Sequence, residues 1–204
     1  MGSEPGLAAL AQALHEALPG RDLTCDLSDA LGHGETPDQG GALPPGFRPL
    51  HAGRPFAGLA VTAQPQGTDL GAVYAALDLA PAGSVLVVAG PATHAFWGER
   101  TTRAALDRGV RAAVLAGACR DVTAVRHLGF AVVCTGVTPL AGRRRAGGEV
   151  QVPLRLGDLT VSPGDLVVGD DNGVVVVPAA RAPHIVPALL RDLPPAFPSD
   201  RSSP

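Results

Sequence analysis

Two short stretches of the chain place charged residues where an apolar run hands over to a helix. One is FWGERTT at residues 96–102; the other is GACRD at residues 117–121. In sheets covered by helices, ligands bind beyond the carboxyl ends of the strands, and unpaired amides at helix N-termini favour anions. Both stretches are expected on that rim, as neighbours. Asp121 is a hard oxygen ligand suited to Mg²⁺ or Mn²⁺, and Arg120 is a planar fork suited to a carboxylate or a developing enolate oxygen. A hydrated Mg²⁺ commonly uses only one or two protein carboxylates, so Asp121 with Glu99 in an outer shell would suffice. A simpler role stands beside this one. Asp is a preferred N-cap, so Asp121 could do no more than cap a helix over residues 121–128 while Arg120 points to solvent. Glu99 likewise lies in a first helical turn, where the macrodipole favours an acid.

The remaining reactive side chains are less pointed. His33, His51, His94 and His127 show no HxH or HExxH spacing, which argues against a histidine-rich metal site. Cys119 reads as a small buried hydrophobe rather than an activated thiol. Ser28 lacks the GxSxG frame of a nucleophile elbow, and Ser28 with Asp29 is expected to cap or brace a short helix near the site. Asp165, Asp170 and Asp171 lack the EF-hand frame and are expected in hairpin turns. Arg143, Arg144 and Arg145 form either a solvated loop or a further cation for a dicarboxylate substrate. One absence decides more: all 16 basic residues are arginine. With no lysine, chemistry that forms a Schiff base through a side-chain amine is excluded, so a carbonyl must be polarised another way.

Composition bounds the partners. A chain of 204 residues with 46% hydrophobic and 17% charged residues fits one globular domain over residues 1–193. The Pro- and Ser-rich residues 194–204 are expected to be a disordered tail. The formal charge of −3 and the scattered arginines give no basic face for nucleic acid. Three cysteines without a CxxC pair fit a reducing compartment, with the cytoplasm as the expected location. No basic leader and no apolar run of roughly 18 residues is visible, so neither targeting nor membrane insertion is expected.

Hydrophobic periodicity then supplies the scaffold. Helical spacing covers residues 7–18, and a short helix is expected to begin near Asp26, with Thr24 or Asp26 as cap and Gly32 as stop. Residues 33–55 read as loop with one short strand. From Asp69 onward the pattern alternates. Helices are expected over 69–80, 98–107 and 121–129, and strands over 58–64, 84–90, 111–117 and 130–137. Past Gly148, turn signals at 156–158, 162–165 and 170–173 predict antiparallel β-structure, followed by a helix over about 179–193. The sum is an α/β fold with a mixed sheet flanked by helices and a C-terminal antiparallel segment.

Taken in order, DLSDALG, FWGERTTRAALDRGVRAAVLAGACRDVTAVRHLGFAVVCTGVTP and VSPGDLVVGDDNGVVVVP resemble the RraA-like family over residues 24–180. That family contains 4-hydroxy-4-methyl-2-oxoglutarate aldolases and the regulator of ribonuclease activity A. The resemblance implies a layered β/β/α fold and a homotrimer or hexamer with sites near subunit interfaces. It also implies a divalent-metal (class II) pyruvate aldolase acting on a small 2-oxo acid, with oxaloacetate decarboxylation as a second reaction. In the family's pattern Asp121 holds Mg²⁺ or Mn²⁺ and Arg120 contacts substrate. The loop of Gly98, Glu99, Arg100 and Thr101 offers amides to the pyruvyl group, and Glu99 lies near the metal's waters, one of which, oriented by Glu99, is the candidate proton relay. Arg100 stands where the family more often has an apolar residue, and Ala116 where an aspartate is common. The alternative from the same resemblance is a non-catalytic protein that regulates a ribonuclease.

Overall fold

The computed structural model describes residues 5–32, 40–193 and 195–197. In chain order its elements are α1 (Leu7–Ala17), α2 (Leu23–Leu31), β1 (Arg48–Pro49), β2 (Phe56–Gln64), α3 (Gly71–Leu79), β3 (Val85–Ala89), β4 (Ala95–Trp97), α4 (Glu99–Asp107), β5 (Ala112–Cys119), α5 (Val122–His127) and β6 (Ala131–Val137). There follow β7 (Glu149–Val150), β8 (Leu154–Leu156), β9 (Leu159–Val161), β10 (Leu166–Asp170), β11 (Gly173–Val177) and α6 (Ala182–Arg191).

The central strands are uniformly apolar because the sheet is buried on both faces. Strands β2, β3, β5 and β6 run parallel, in the sheet order β1-β6-β5-β3-β2-β10-β11. Side chains alternate between two cores. Leu86, Val88, Ala113 and Leu115 face α3, α4 and α5, whereas Val85, Val87, Ala112 and Val114 face the β8–β9 hairpin and the inner side of β10 and β11. A third core packs α1, α2 and α6 on the other side of β10 and β11. The fold is therefore α/β with a mixed sheet, helices on one side and antiparallel β-structure on the other, as the pattern of residues predicted.

Several local expectations change. The second helix starts at Leu23 rather than near Asp26, because its cap comes from far along the chain. Buried Asp170 accepts from the Thr24 amide at 3.0 Å and the Thr24 hydroxyl at 2.7 Å. Asp170 thus serves a helix N-terminus as well as its own turn, where it accepts from Asn172 N–H at 2.9 Å. Ser28 and Asp29 lie inside α2, which packs on β11 and α6 rather than beside the 96–102 and 117–121 segments. Part of the expected tail is anchored, since Phe197 N–H donates to the Gly20 carbonyl at 2.9 Å. Residue 194 and residues 198–204, like His33, lie outside the described residues. Among the described residues, no helix is long and apolar enough to cross a membrane.

Candidate functional site

Strand β5 carries the site. It pairs with β3 through Ala116, then shifts register against β6 between Leu115 and Ala118. Beyond the shift its partner is β4, through Ala95–Ala118 and Trp97–Cys119. Irregularities of this kind re-aim side chains at strand ends next to active sites. The Thr135 hydroxyl stabilises this one, accepting from Gly117 N–H at 3.0 Å and donating to the Gly117 carbonyl at 3.1 Å. Three-residue β4 was not legible as a strand, because β5 alone gives it a ladder. Its end is locked by the Trp97 indole N–H, which donates to Thr102 Oγ1 at 2.8 Å. The same indole stacks on Phe130 at 5.7 Å.

This geometry brings the two charged stretches together. Asp121 has a left-handed backbone, φ 53°, and makes no side-chain cap to its own helix α5. Instead its Oδ2 accepts from the Glu99 amide at 3.2 Å, so it caps the neighbouring helix α4. Its Oδ1 takes the Arg120 Nε–H at 3.1 Å. The two side chains stay 39% and 35% exposed, which leaves guanidinium donors and carboxylate lone pairs facing solvent. Non-glycine left-handed conformations cluster at functional sites, and Asp is among the residues that tolerate them.

The other predicted residues are placed unequally. The Gly98 amide is used by Thr101 Oγ1 at 2.9 Å, and the Glu99 amide by Asp121. Thr102 N–H binds the Gly98 carbonyl at 3.0 Å. The first turn of α4 thus leaves the amides of Arg100 and Thr101 for a ligand. The Glu99 carboxylate runs along α4 to Arg103, at 2.8 and 2.9 Å, and does not line the cavity beside Asp121. Cys119 is fully buried, and burial, aided by Cys134, pushes its thiol up to about 12. It stays protonated at neutral pH and is no nucleophile.

Arg120 and Asp121 open into a cavity of about 400 Å³ walled also by Tyr74, Trp97, Gly98, Arg100, Thr101 and Arg144. Three guanidinium groups and one carboxylate line it, a net positive charge of the sign that favours anions. A larger cavity of about 470 Å³ beside α1 has Arg111 as its one charged lining residue, and that guanidinium already donates to the Ala57 carbonyl and Gln12. It offers no acid–base pair.

Arginines 143–145, expected as a solvated loop or an added cation, belong to a bracket. Asp69 Oδ1 accepts from Gly71 N–H at 2.8 Å and Arg145 N–H at 2.7 Å. Its Oδ2 accepts from Gly147 N–H at 2.8 Å. Burial alone would raise the Asp69 carboxyl, but the three amides, with the Arg145 charge, outweigh it and hold the group below its ordinary value. A depressed carboxylate stabilises the fold fully above its unfolded pKa, about 3.9, and the contribution is lost as pH falls through the folded value. Asp69→Asn turns an amide group toward these donors. Thermal melts should show a lower Tm for this variant at pH 7 and a shrinking gap from wild type below about pH 4.

A single carboxylate at strand ends, an arginine beside it and helix-start amides without a partner meet at the sheet rim of an α/β protein. Comparison with known proteins narrows the class. The model for the RraA-like family, described as Aldolase/RraA, matches residues 24–176, and the chain belongs to that family. DlpA of Legionella pneumophila is 33% identical over 171 residues, 80% of this chain, yet the chain spans only 27% of DlpA. A Thermus thermophilus protein named 4-hydroxy-4-methyl-2-oxoglutarate aldolase is 31% identical, covering 76% of this chain and 92% of that one. Streptomyces coelicolor RraAS2, described as an unusual member of the RNase ES inhibitor RraA protein family, aligns with TM-score 0.70 at 31% identity. That alignment covers 88% of this chain and 90% of the other.

Proposed function

We propose that the chain is a divalent-metal-dependent lyase that releases pyruvate from 4-hydroxy-2-oxo acids such as 4-hydroxy-4-methyl-2-oxoglutarate and decarboxylates oxaloacetate. The observation that carries this reading is the convergence of Arg120, Asp121 and the start of α4 on one cavity, in a chain without lysine. The name of the Thermus thermophilus relative supports it. The residues fit a cation that keeps most of its waters. The described residues hold no cluster of three or more His, Cys, Asp or Glu side chains, and Asp121 is one partly exposed carboxylate, enough for Mg²⁺ or Mn²⁺. A Cβ on residue 98 would lie 2.7 Å from Asp121 Oδ2, so glycine there keeps the carboxylate clear.

Asp121 would hold the cation, whose chemistry is to polarise the 2-oxo group and offset charge on the enolate. The Arg120 guanidinium orients the 2-oxo oxygen and offsets the same charge. The amides of Arg100 and Thr101 receive the C1 carboxylate. A proton leaves the C4 hydroxyl as the C3–C4 bond breaks, the electron pair passes into the enolate, and C3 is then protonated to give pyruvate. Glu99 serves as the proton carrier once it turns away from Arg103. We place a homotrimer or hexamer in the same proposal, supported by exposed Val137 and Leu140, 61% and 53% accessible, at the end of β6 and just beyond it.

Pyruvate release from both substrates, followed with lactate dehydrogenase, is expected with Mg²⁺ or Mn²⁺ and lost with EDTA. Absence of metal-dependent turnover by folded protein overturns the reading. The second reading, a protein-binding regulator of a ribonuclease, is favoured by the description of the Streptomyces coelicolor relative. It requires that Asp121→Ala keep full inhibitory effect on the ribonuclease.

A further inference from the structure

The cavity holds more positive charge than one carboxylate requires. Arg120 is paired with Asp121. Among the described residues, Arg100 and Arg144 make no ion pair or side-chain hydrogen bond, yet both line the cavity. Both side chains are exposed, and two guanidinium groups lining one cavity with no anionic partner repel each other, a repulsion that a second negative group would relieve.

Arg144 is held in place from both sides of its backbone. Arg143 N–H donates to the Thr68 carbonyl at 3.1 Å, and Leu70 N–H donates to the Arg143 carbonyl at 3.0 Å. Arg145 N–H is held by Asp69. The approach is close enough that a Cβ on Gly142 would collide with the Thr68 carbonyl oxygen. The side chain is set as well, with its guanidinium carbon 4.0 Å from the centre of the Tyr74 ring. Stacking on an aromatic face restrains the guanidinium while leaving its edge donors free. Tyr74 and Arg144 come from α3 and the 141–144 segment, a wall distinct from the β4, α4 and β5 ends that carry Arg120, Asp121 and the free amides.

We infer that Arg144, seated on Tyr74 and assisted by Arg100, is a specificity-determining residue that receives the distal carboxylate of the substrate, so that the site selects 2-oxo dicarboxylates over 2-oxo monocarboxylates. The inference rests on the reading of this cavity as a 2-oxo acid site, and binding separates it from turnover. The sole tryptophan, Trp97, lines the cavity and reports occupancy by its fluorescence. The probes are 2-oxoglutarate and 2-oxobutanoate, which differ at the distal end and lack the C4 hydroxyl that the proposed cleavage requires, each titrated with saturating Mg²⁺.

Wild type should bind 2-oxoglutarate at least tenfold more tightly. Arg144→Gln should weaken 2-oxoglutarate about tenfold or more, the size of one charge-assisted contact, and leave 2-oxobutanoate within twofold. Arg144→Lys should recover part of the loss, and added salt should narrow the preference in wild type more than in Arg144→Gln. Equal affinity of wild type for the two acids, or equal weakening of both by Arg144→Gln, overturns the inference and leaves the 2-oxo acid site standing. Binding of neither acid overturns both.

Discussion

Replacing Asp121 with asparagine is expected to lower metal-supported pyruvate release by about 10² to 10³-fold while Tm stays close to that of wild type. The substitution separates the two roles that its position allows. Asparagine tolerates the left-handed backbone, φ 53°, as readily as aspartate. Its carbonyl oxygen can still accept the Glu99 amide that Asp121 Oδ2 takes at 3.2 Å, so the tie between β5 and α4 survives. The negative charge that would hold a divalent cation and pair with Arg120 is lost. Coupled assays across a Mg²⁺ titration, alongside thermal melts, measure both quantities. Activity within threefold of wild type would assign Asp121 to capping α4 and nothing more.

Gly98→Ala should reduce the same activity about 10 to 100-fold, through one methyl group. Gly98 is extended, with φ −174°, so alanine adopts its backbone without strain and the effect comes from contact alone. The added Cβ would meet Asp121 Oδ2 at 2.7 Å and Arg120 Cγ at 2.8 Å. Overpacking in a rigid core costs about 1–3 kcal/mol. Here the struck side chains are more than a third exposed and can move, so the fold keeps most of its stability and the site loses its geometry. Gly136→Ala, where a Cβ meets nothing within 4 Å, is the matched control and should leave kcat/KM unchanged. Equal activities of the two variants would show that the placement of Asp121 and Arg120 does not govern the reaction.

The alternation of helices and strands was legible because strands buried on both faces read as uniform apolar runs, as in VLVV at residues 85–88. So was the adjacency of the two charged stretches, since consecutive parallel strands deliver their carboxyl ends to one rim. Helix α2 was misjudged by three residues because its cap, Asp170, lies 146 positions away, and local rules see only nearby donors and acceptors. Strand β4 was missed because three residues carry no periodicity of their own. The bracket at Asp69 was missed because its acceptors and donors are separated by 76 and 78 positions.

What the sequence determined by itself was the menu of chemistry. A chain with arginine but no lysine cannot hold a carbonyl as a Schiff base through a side-chain amine and must polarise it by charge or hydrogen bonds, whatever its shape. What the tertiary structure decided was the use of each group. It turned Asp121 from its own helix to the next, drew Glu99 away toward Arg103, occupied two of the loop amides and brought Arg144 into the cavity. These outcomes depend on which donors and acceptors become neighbours when β5 exchanges β3 for β4 and Asp69 captures the 143–147 segment. Such pairings arise only when the sheet forms and brings together donors and acceptors that lie far apart along the chain.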